Sequence, residues 1–206
     1  MEINNTEVAI IEEEKQLVVA KEIINLDKMM EMATMLSKST IVPVAYMNRP
    51  ENCFIALDMS SRMGISPMVV MQNLFVIQGK PSWAGQAIGG MIRTNPSFKN
   101  VDLVYVGEEG RDSWGAYVTA EKVSTGQKVK GGTVTIAIAK KEGWYTKTGS
   151  KWQTMPELML AYRAYAWFGR VYCPELMMGL QTTEEVYDVT PVVPADTKVV
   201  NPYEGK

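Results

Sequence analysis

The sequence predicts an α+β fold: N-terminal helices, an antiparallel β-meander of about three strands plus a hairpin, and a long C-terminal helix across the sheet. Apolar residues recur at helical spacing early in the chain, alternate with polar ones in its middle, and return to helical spacing after Pro156. The length of 206 residues, 46% of them hydrophobic, suits one globular domain of ordinary size. We therefore expect an acidic arm over residues 1–25, a core domain over 26–188 and a mobile tail over 189–206.

The helical part of the fold comes first. Helical spacing over residues 26–37 is carried by five apolar side chains, Leu26, Met29, Met30, Ala33 and Leu36. Pro50 and Pro67 each suit the first turn of a further helix, and Gly64 suits the end of the first of these two.

The second half of the chain favours strands. A hairpin is expected around Gly79, followed by a helix over residues 84–94. Strands are predicted over residues 101–106, 114–123 and 133–139, because apolar and polar residues alternate there. The amphipathic stretch over 155–172 predicts the long helix.

Composition excludes several classes of function. The chain has no histidine and two cysteines, so histidine-dependent catalysis and a four-cysteine zinc site are excluded. It has neither a phosphate-binding G-x-x-x-x-G-K-[S/T] motif nor a G-x-S-x-G elbow. We expect no enzyme and no required cofactor, with Mg²⁺ only assisting by charge screening. Cys53 and Cys173 are expected to be reduced thiols in a cytoplasmic compartment, and neither a signal peptide nor a membrane span is expected.

Charge is distributed unevenly along the chain. The net charge is −2, but residues 128–170 carry eight basic and two acidic residues. Residues 1–31 carry eight acidic and three basic residues, and residues 184–206 carry five acidic and two basic ones. A basic middle between acidic ends is expected when one surface meets a polyanion; scattered solvated lysines are the alternative.

Lysines alternate with aromatic residues between positions 140 and 153. Lysine neutralises phosphate and an aromatic face can stack on a base, a pairing typical of single-strand binding. Burial of Trp144 and Trp152 as anchors of the loop is the alternative interpretation. In the following helix, Arg163, Trp167 and Arg170 share one side and Leu158 begins the opposite, apolar side. The spacing predicts exposed arginines that alanine could replace without loss of stability.

These residues and several isolated basic positions form the candidate DNA-binding set. It comprises Lys80, Trp83, Arg93, Lys128, Lys130, Lys140, Lys141, Lys147, Lys151, Trp152, Gln153, Arg163, Trp167 and Arg170.

Several runs of sequence resemble the RecT family of phage and prophage single-strand annealing recombinases. They are MATMLSKSTIVP at 32–43, RMGISPMVVMQNL at 62–74, GKPSW at 79–83, AKKEGW at 139–144, SKWQTMPELML at 150–160, YRA at 162–164, PEL at 174–176 and GLQT at 179–182. A more distant likeness is to the lambda Beta protein, whose basic long-helix positions correspond to Arg163 and Arg170.

The resemblance implies an ATP-independent protein of phage homologous recombination in the cytoplasm of a bacterial host. Such proteins bind single-stranded DNA, pair it with a complementary strand to give annealed duplex, and assemble into homo-oligomeric rings or helical filaments. The resemblance also implies a phage exonuclease and the host single-strand-binding protein as partners, recruited through a C-terminal extension that is short here. The alternatives are a passive single-stranded-DNA-binding protein and an oligomeric scaffold that binds no DNA.

Overall fold

The computed structural model describes residues 25–77 and 79–189, and its fold is α+β as predicted. The predicted acidic arm, apart from its last residue, and the predicted tail after Val189 lie outside the described residues. Close contacts divide the chain into two compact units, the first ending at Leu74 and the second beginning at Phe75.

The first unit consists of helices. Helix α1 covers residues 25–37, a 3₁₀ turn covers Val44–Tyr46, and α2 (Pro50–Met63) and α3 (Pro67–Asn73) follow. Gly64 ends α2 with φ of 65°, a left-handed conformation that glycine adopts without strain. No single helix among the described residues is long and apolar enough to span a bilayer. Helices α2 and α3, which meet at an angle of 116°, reach the length and apolar composition of a bilayer span only when they are taken together.

The second unit contains a small mixed sheet. Strands β1 (Leu74–Ile77) and β2 (Lys80–Trp83) lie on either side of Gly79, as predicted for the hairpin. The late strand β7 (Gln181–Thr182) pairs with β2 in parallel, with Trp83 opposite Thr182. Helix α4 (Gly85–Thr94) begins directly after β2. The C-terminal segment of the described chain is therefore tied to the beginning of this unit.

The meander forms a second sheet. Strand β4 (Gly115–Lys122) pairs antiparallel with β3 (Phe98–Val106) on one side and with β5 (Lys128–Lys130) on the other. Ala116, Val118 and Ala120 of β4 are buried, whereas the alternate residues are partly exposed. One face of the sheet therefore belongs to the core and the other faces solvent.

The prediction of a strand over residues 133–139 is wrong. Only β6 (Val134–Thr135) pairs with β4, and Ile136–Lys141 forms helix α5. The Thr135 hydroxyl caps this helix by accepting a hydrogen bond from the Ile138 amide at 3.2 Å. That local bond competes with strand pairing, which explains why an alternating sequence became helical. The third strand of the meander is β5 instead.

The long helix is the centre of the second unit. After the single turn α6 (Lys151–Thr154), helix α7 (Pro156–Tyr172) lies across the meander. The centres of its Phe168 ring and of the Phe98 ring are 5.6 Å apart. Helix α4 packs against α7, where the glycines at positions 85 and 89 allow close approach. Helices α8 (Pro174–Met177) and α9 (Thr183–Val189) cover further sides of α7. This helix is thus buried on most of its circumference, and Leu158, expected in the core, is 46% exposed.

Candidate nucleic-acid interface

The lysine segment, defined here as residues 128–151, presents most of its positive charge to solvent. Its members Lys128, Lys130, Lys140, Lys141 and Lys151 are exposed. They lie on β5, at the end of α5 and at the start of α6. Its sixth lysine, Lys147, is half-buried and donates a hydrogen bond to the Tyr187 carbonyl oxygen. The exposed positions can contact phosphate without rearrangement of the core.

Tyrosine rings accompany two of these lysines. The Lys130 ammonium lies 4.0 Å from the centre of the Tyr117 ring, on the solvent-facing side of the meander. The Lys140 ammonium lies 5.2 Å from the Tyr145 ring and 2.5 Å from a carboxylate oxygen of Asp112. The side-chain hydrogen bond to Asp112 raises the pKa of Lys140. Both lysines are therefore oriented beside an aromatic face.

A depression lies on the solvent-facing side of the meander near β5. Its lining includes Lys128 and Lys130 together with Asp102 and Glu121. Lys99 forms an ion pair with Glu121 at 2.8 Å, and this hydrogen bond lowers the pKa of the Glu121 carboxyl group. The positive charge of Lys99 is thus directed to Glu121, and the two β5 lysines are the lining residues that can meet an anion.

Tryptophan burial corrects part of the predicted interface. Trp83 and Trp152 have no exposed surface, and Trp144 is 8% exposed. The centres of the Trp144 and Trp152 rings are 5.7 Å apart, and the Trp152 indole N–H donates a hydrogen bond to the Asp188 carboxylate at 3.1 Å. The anchoring interpretation is correct for Trp144 and Trp152, and neither they nor Trp83 can stack on a base in this fold.

Arg163 is the main correction. Its side chain is 6% exposed, although the helical spacing predicted a free, solvent-facing guanidinium. It lies 4.0 Å from the Trp144 ring centre and forms ion pairs with Glu185, at 3.3 Å, and with Asp188. Burial lowers the pKa of Arg163, and the two carboxylates oppose that effect. The expectation that alanine could replace it without loss of stability is therefore wrong.

Arg170 is held by the same acidic helix. Its side chain is 37% exposed, and its two terminal nitrogens donate to the two carboxylate oxygens of Glu185, one of them at 2.5 Å. Burial opposes ionisation of Glu185, but the hydrogen bonds from Arg170 and from the Thr182 amide outweigh it and lower the pKa of Glu185. The predicted free face that joins Arg163 to Arg170 is thus occupied by α9.

The remaining candidates are dispersed. Lys80 is exposed at the hairpin, and Arg93 is exposed at the end of α4 while donating to the Tyr165 hydroxyl at 2.9 Å. Gln153 donates to the Tyr145 carbonyl oxygen at 2.6 Å, and Trp167 is partly buried over Gly132. The exposed lysines of the lysine segment are accordingly the strongest part of the predicted set.

The sequence analysis did not identify the acidic residues that pair with the two arginines. Glu185 is only 3% exposed, and it exchanges hydrogen bonds with Thr182: the Thr182 amide donates to the carboxylate, and the Glu185 amide donates to the hydroxyl. This reciprocal pattern is a capping box, whose signature is a threonine followed three residues later by glutamate. The signature T-T-E-E is visible at residues 182–185 and could have indicated a helix there.

No family model, curated protein or solved structure matches this chain. Among the residues that the structure describes, no three acidic or cysteine side chains are grouped closely enough to hold a metal ion.

Proposed function

We propose that this chain binds single-stranded DNA through its lysine segment and pairs the bound strand with a complementary one without ATP. The main support for this proposal is that five lysines between positions 128 and 151 are exposed in a chain whose net charge is negative. Phosphates of one strand would neutralise these lysines and release counterions, which supplies affinity independent of base sequence.

Tryptophan burial favours annealing over passive coating of a strand. A protein that stacks bases on aromatic rings hides them from a second strand, whereas contacts to phosphate leave the bases free to pair. Four of the five tryptophans, Trp83, Trp114, Trp144 and Trp152, are at most 9% exposed. Base pairing itself provides the free energy of the reaction, so nucleotide hydrolysis is unnecessary.

The resemblance to RecT-type recombinases supports the same function and suggests assembly of several copies on one strand. Exposed apolar side chains of the first unit would suit contacts between copies. Met35, Ile41 and Val44 are each at least 67% exposed. A homo-oligomer, with single-stranded DNA as ligand and annealed duplex as product, is therefore part of the proposal.

Annealing of two complementary oligonucleotides, one with a donor and one with an acceptor dye, tests the function in the absence of ATP. Acceleration over the protein-free rate supports the proposal. Slower annealing would identify a passive single-strand-binding protein, and an unchanged rate with no binding would leave an oligomeric scaffold.

Matched variants connect the activity to the proposed surface. The triple variant Lys130→Ala, Lys141→Ala, Lys151→Ala removes three exposed charges of the lysine segment. The control Lys28→Ala, Lys38→Ala, Arg49→Ala removes three exposed charges of the first unit. We expect the first variant to lose most of its annealing rate and the control to keep it. Equal losses would show that net charge, rather than this segment, determines binding.

A further inference from the structure

Helix α9 places three carboxylates on donors of the second unit. The Glu184 carboxylate accepts from the Gly85 amide at 3.0 Å. The Glu185 carboxylate accepts from both terminal nitrogens of Arg170 and from Arg163. The Asp188 carboxylate accepts from Arg163 and from the Trp152 indole. Each acidic residue of this short helix therefore accepts hydrogen bonds from the rest of the unit.

The donors that these carboxylates occupy also suit phosphate. Gly85 begins α4, a ten-residue helix whose N-cap Ala84 offers no side-chain acceptor, so Glu184 satisfies a free amide at a positive helix end. Arg170 holds Glu185 with two parallel hydrogen bonds, a geometry that a guanidinium forms equally with two phosphate oxygens. In these positions α9 therefore imitates an anionic ligand.

Hydrogen bonds and ion pairs, with little burial of apolar side chains, hold α9 in place. It has seven residues, and Val186 is its one buried apolar side chain, while Tyr187 and Val189 are about 60% exposed. It is preceded by the two-residue strand β7 and by Met178 and Gly179, both in the left-handed conformation. A segment with few buried apolar contacts opens at low free-energy cost compared with the core.

We propose that α9 is an acidic latch that the phosphates of a bound single strand displace from Arg163 and Arg170. With the latch closed, two guanidinium charges are neutralised by Glu185 and Asp188. With the latch open, the same two charges become available to the nucleic-acid backbone, seven residues or about two helical turns apart on α7. The inference rests on the proposed function, because single-stranded DNA is the polyanion that opens the latch.

Hydrogen–deuterium exchange on the full chain tests the latch directly. Amides of residues 182–189 are followed with and without a 20-nucleotide thymidine oligonucleotide at saturating concentration. We expect binding to speed their exchange at least about fivefold, the range of typical coupling free energies. Binding that leaves their exchange unchanged, or slows it, overturns the latch and leaves the proposed function intact.

Charge variants provide an independent readout. Glu185→Gln with Asp188→Asn keeps the size of both side chains and removes their charges, so it should bind the oligonucleotide at least about fivefold more tightly than the wild type. Glu175→Gln, at an exposed position of α8, is the matched control and should change affinity less than twofold. Equal gains in both variants overturn the latch.

Failure of the two proposals can be told apart. If the wild type binds no oligonucleotide but the double variant does, displacement of the latch by DNA is overturned, because the wild-type latch then stays closed. If neither binds, both proposals fail. Circular dichroism checks that the double variant is folded; if it is not, Asp188→Asn alone replaces it, with the same expected direction.

Discussion

At the scale of single residues, the environment of Arg163 depends on groups far away in sequence. Its two ion-pair partners lie 22 and 25 residues further along the chain, and its third neighbour is the Trp144 ring. A buried guanidinium is tolerated because hydrogen-bonded carboxylates replace its hydration. Removal of the arginine would take one cation away from the buried carboxylates of Asp188 and Glu185, although Glu185 would keep its ion pair with Arg170.

Arg163→Ala should therefore destabilise the protein strongly. Breaking a buried ion pair from one side costs about 3–5 kcal/mol, far more than truncation of an exposed cation. Urea unfolding at neutral pH, followed by circular dichroism, measures the loss. Lys151→Ala, at an exposed position of α6, is the control and should stay within about 0.5 kcal/mol of the wild type. A loss of similar size in both would contradict the burial of Arg163.

Tyr46 provides a prediction about alkaline pH. Burial, with a smaller contribution from Cys53, raises the pKa of Tyr46 to about 12, and its hydroxyl donates to the Leu74 carbonyl oxygen at 3.2 Å. The folded state thus holds this proton more tightly than the unfolded state, whose phenol titrates near 10. Stability should consequently fall as the pH rises from about 10 to about 12, by up to about 2–3 kcal/mol.

Tyr46→Phe isolates this effect from the other titrating groups. The variant lacks the phenol, so its stability should lose less over the same pH interval, and the two curves should converge at the alkaline end. The measurement is the free energy of unfolding in urea at several pH values between 8 and 12. Parallel curves for the two proteins would show that Tyr46 does not contribute.

At the scale of elements, sequence patterns predicted those helices and strands whose bounds are set by residues close together in the chain. Helix α7 begins at Pro156 and ends at Tyr172, within one residue of expectation, because proline at the first turn and an apolar periodicity act locally. The hairpin and the first two meander strands are likewise where alternation and turn residues indicated. Residues 133–139 differ because alternating small apolar residues fit either a strand or a buried helix, and the Thr135 cap decided between them.

The candidate site was less predictable than the elements. Exposure of the five lysines follows from the cost of burying an unpaired charge, which sequence reasoning could weigh. The burial of Trp152 and Arg163 depends on the packing of α9 against β2 and α7. The spacing of apolar residues in the sequence does not indicate this tertiary contact. The prediction for α7 assumed that only one face of the helix is buried, whereas other elements cover more than one of its faces.

Packing between α4 and α7 gives a prediction at this scale. A Cβ atom at Gly85 would lie 2.6 Å from the Glu184 carboxylate and 2.8 Å from the Tyr162 ring. Gly85→Ala should accordingly destabilise the protein by about 1–3 kcal/mol, although alanine is the better helix former.

The same helix offers the matched control. Gly90 is exposed and has open space where a Cβ would stand, so Gly90→Ala should stabilise by about 0.5–1 kcal/mol through helix propensity alone. Thermal unfolding of both variants gives the comparison. Stabilisation by both would mean that α4 and α7 are farther apart than described.

At the scale of the whole molecule, charge is arranged by sign along the chain. The basic residues of positions 128–170 fall into three groups: five exposed lysines, the half-buried Lys147, and two arginines neutralised by α9. Glu185 and Asp188 of α9 are thus internal counterions of these arginines. The proposed affinity for DNA depends instead on the five exposed lysines of the lysine segment.

Salt dependence of DNA binding follows from this arrangement. Each single-strand phosphate that a lysine neutralises contributes about 0.7 to the slope of log affinity against log salt, so five contacts predict a slope near −3.5 and in any case a magnitude of at least about 3. Fluorescence anisotropy of a labelled oligonucleotide at 50–300 mM KCl, roughly the range where such release dominates, measures it. The triple variant at Lys130, Lys141 and Lys151 should lower the magnitude by about 2, whereas the control at Lys28, Lys38 and Arg49 should preserve it. Because the net charge of −2 repels DNA, a slope near zero in the wild type would mean that the lysine segment is not the surface that meets phosphate.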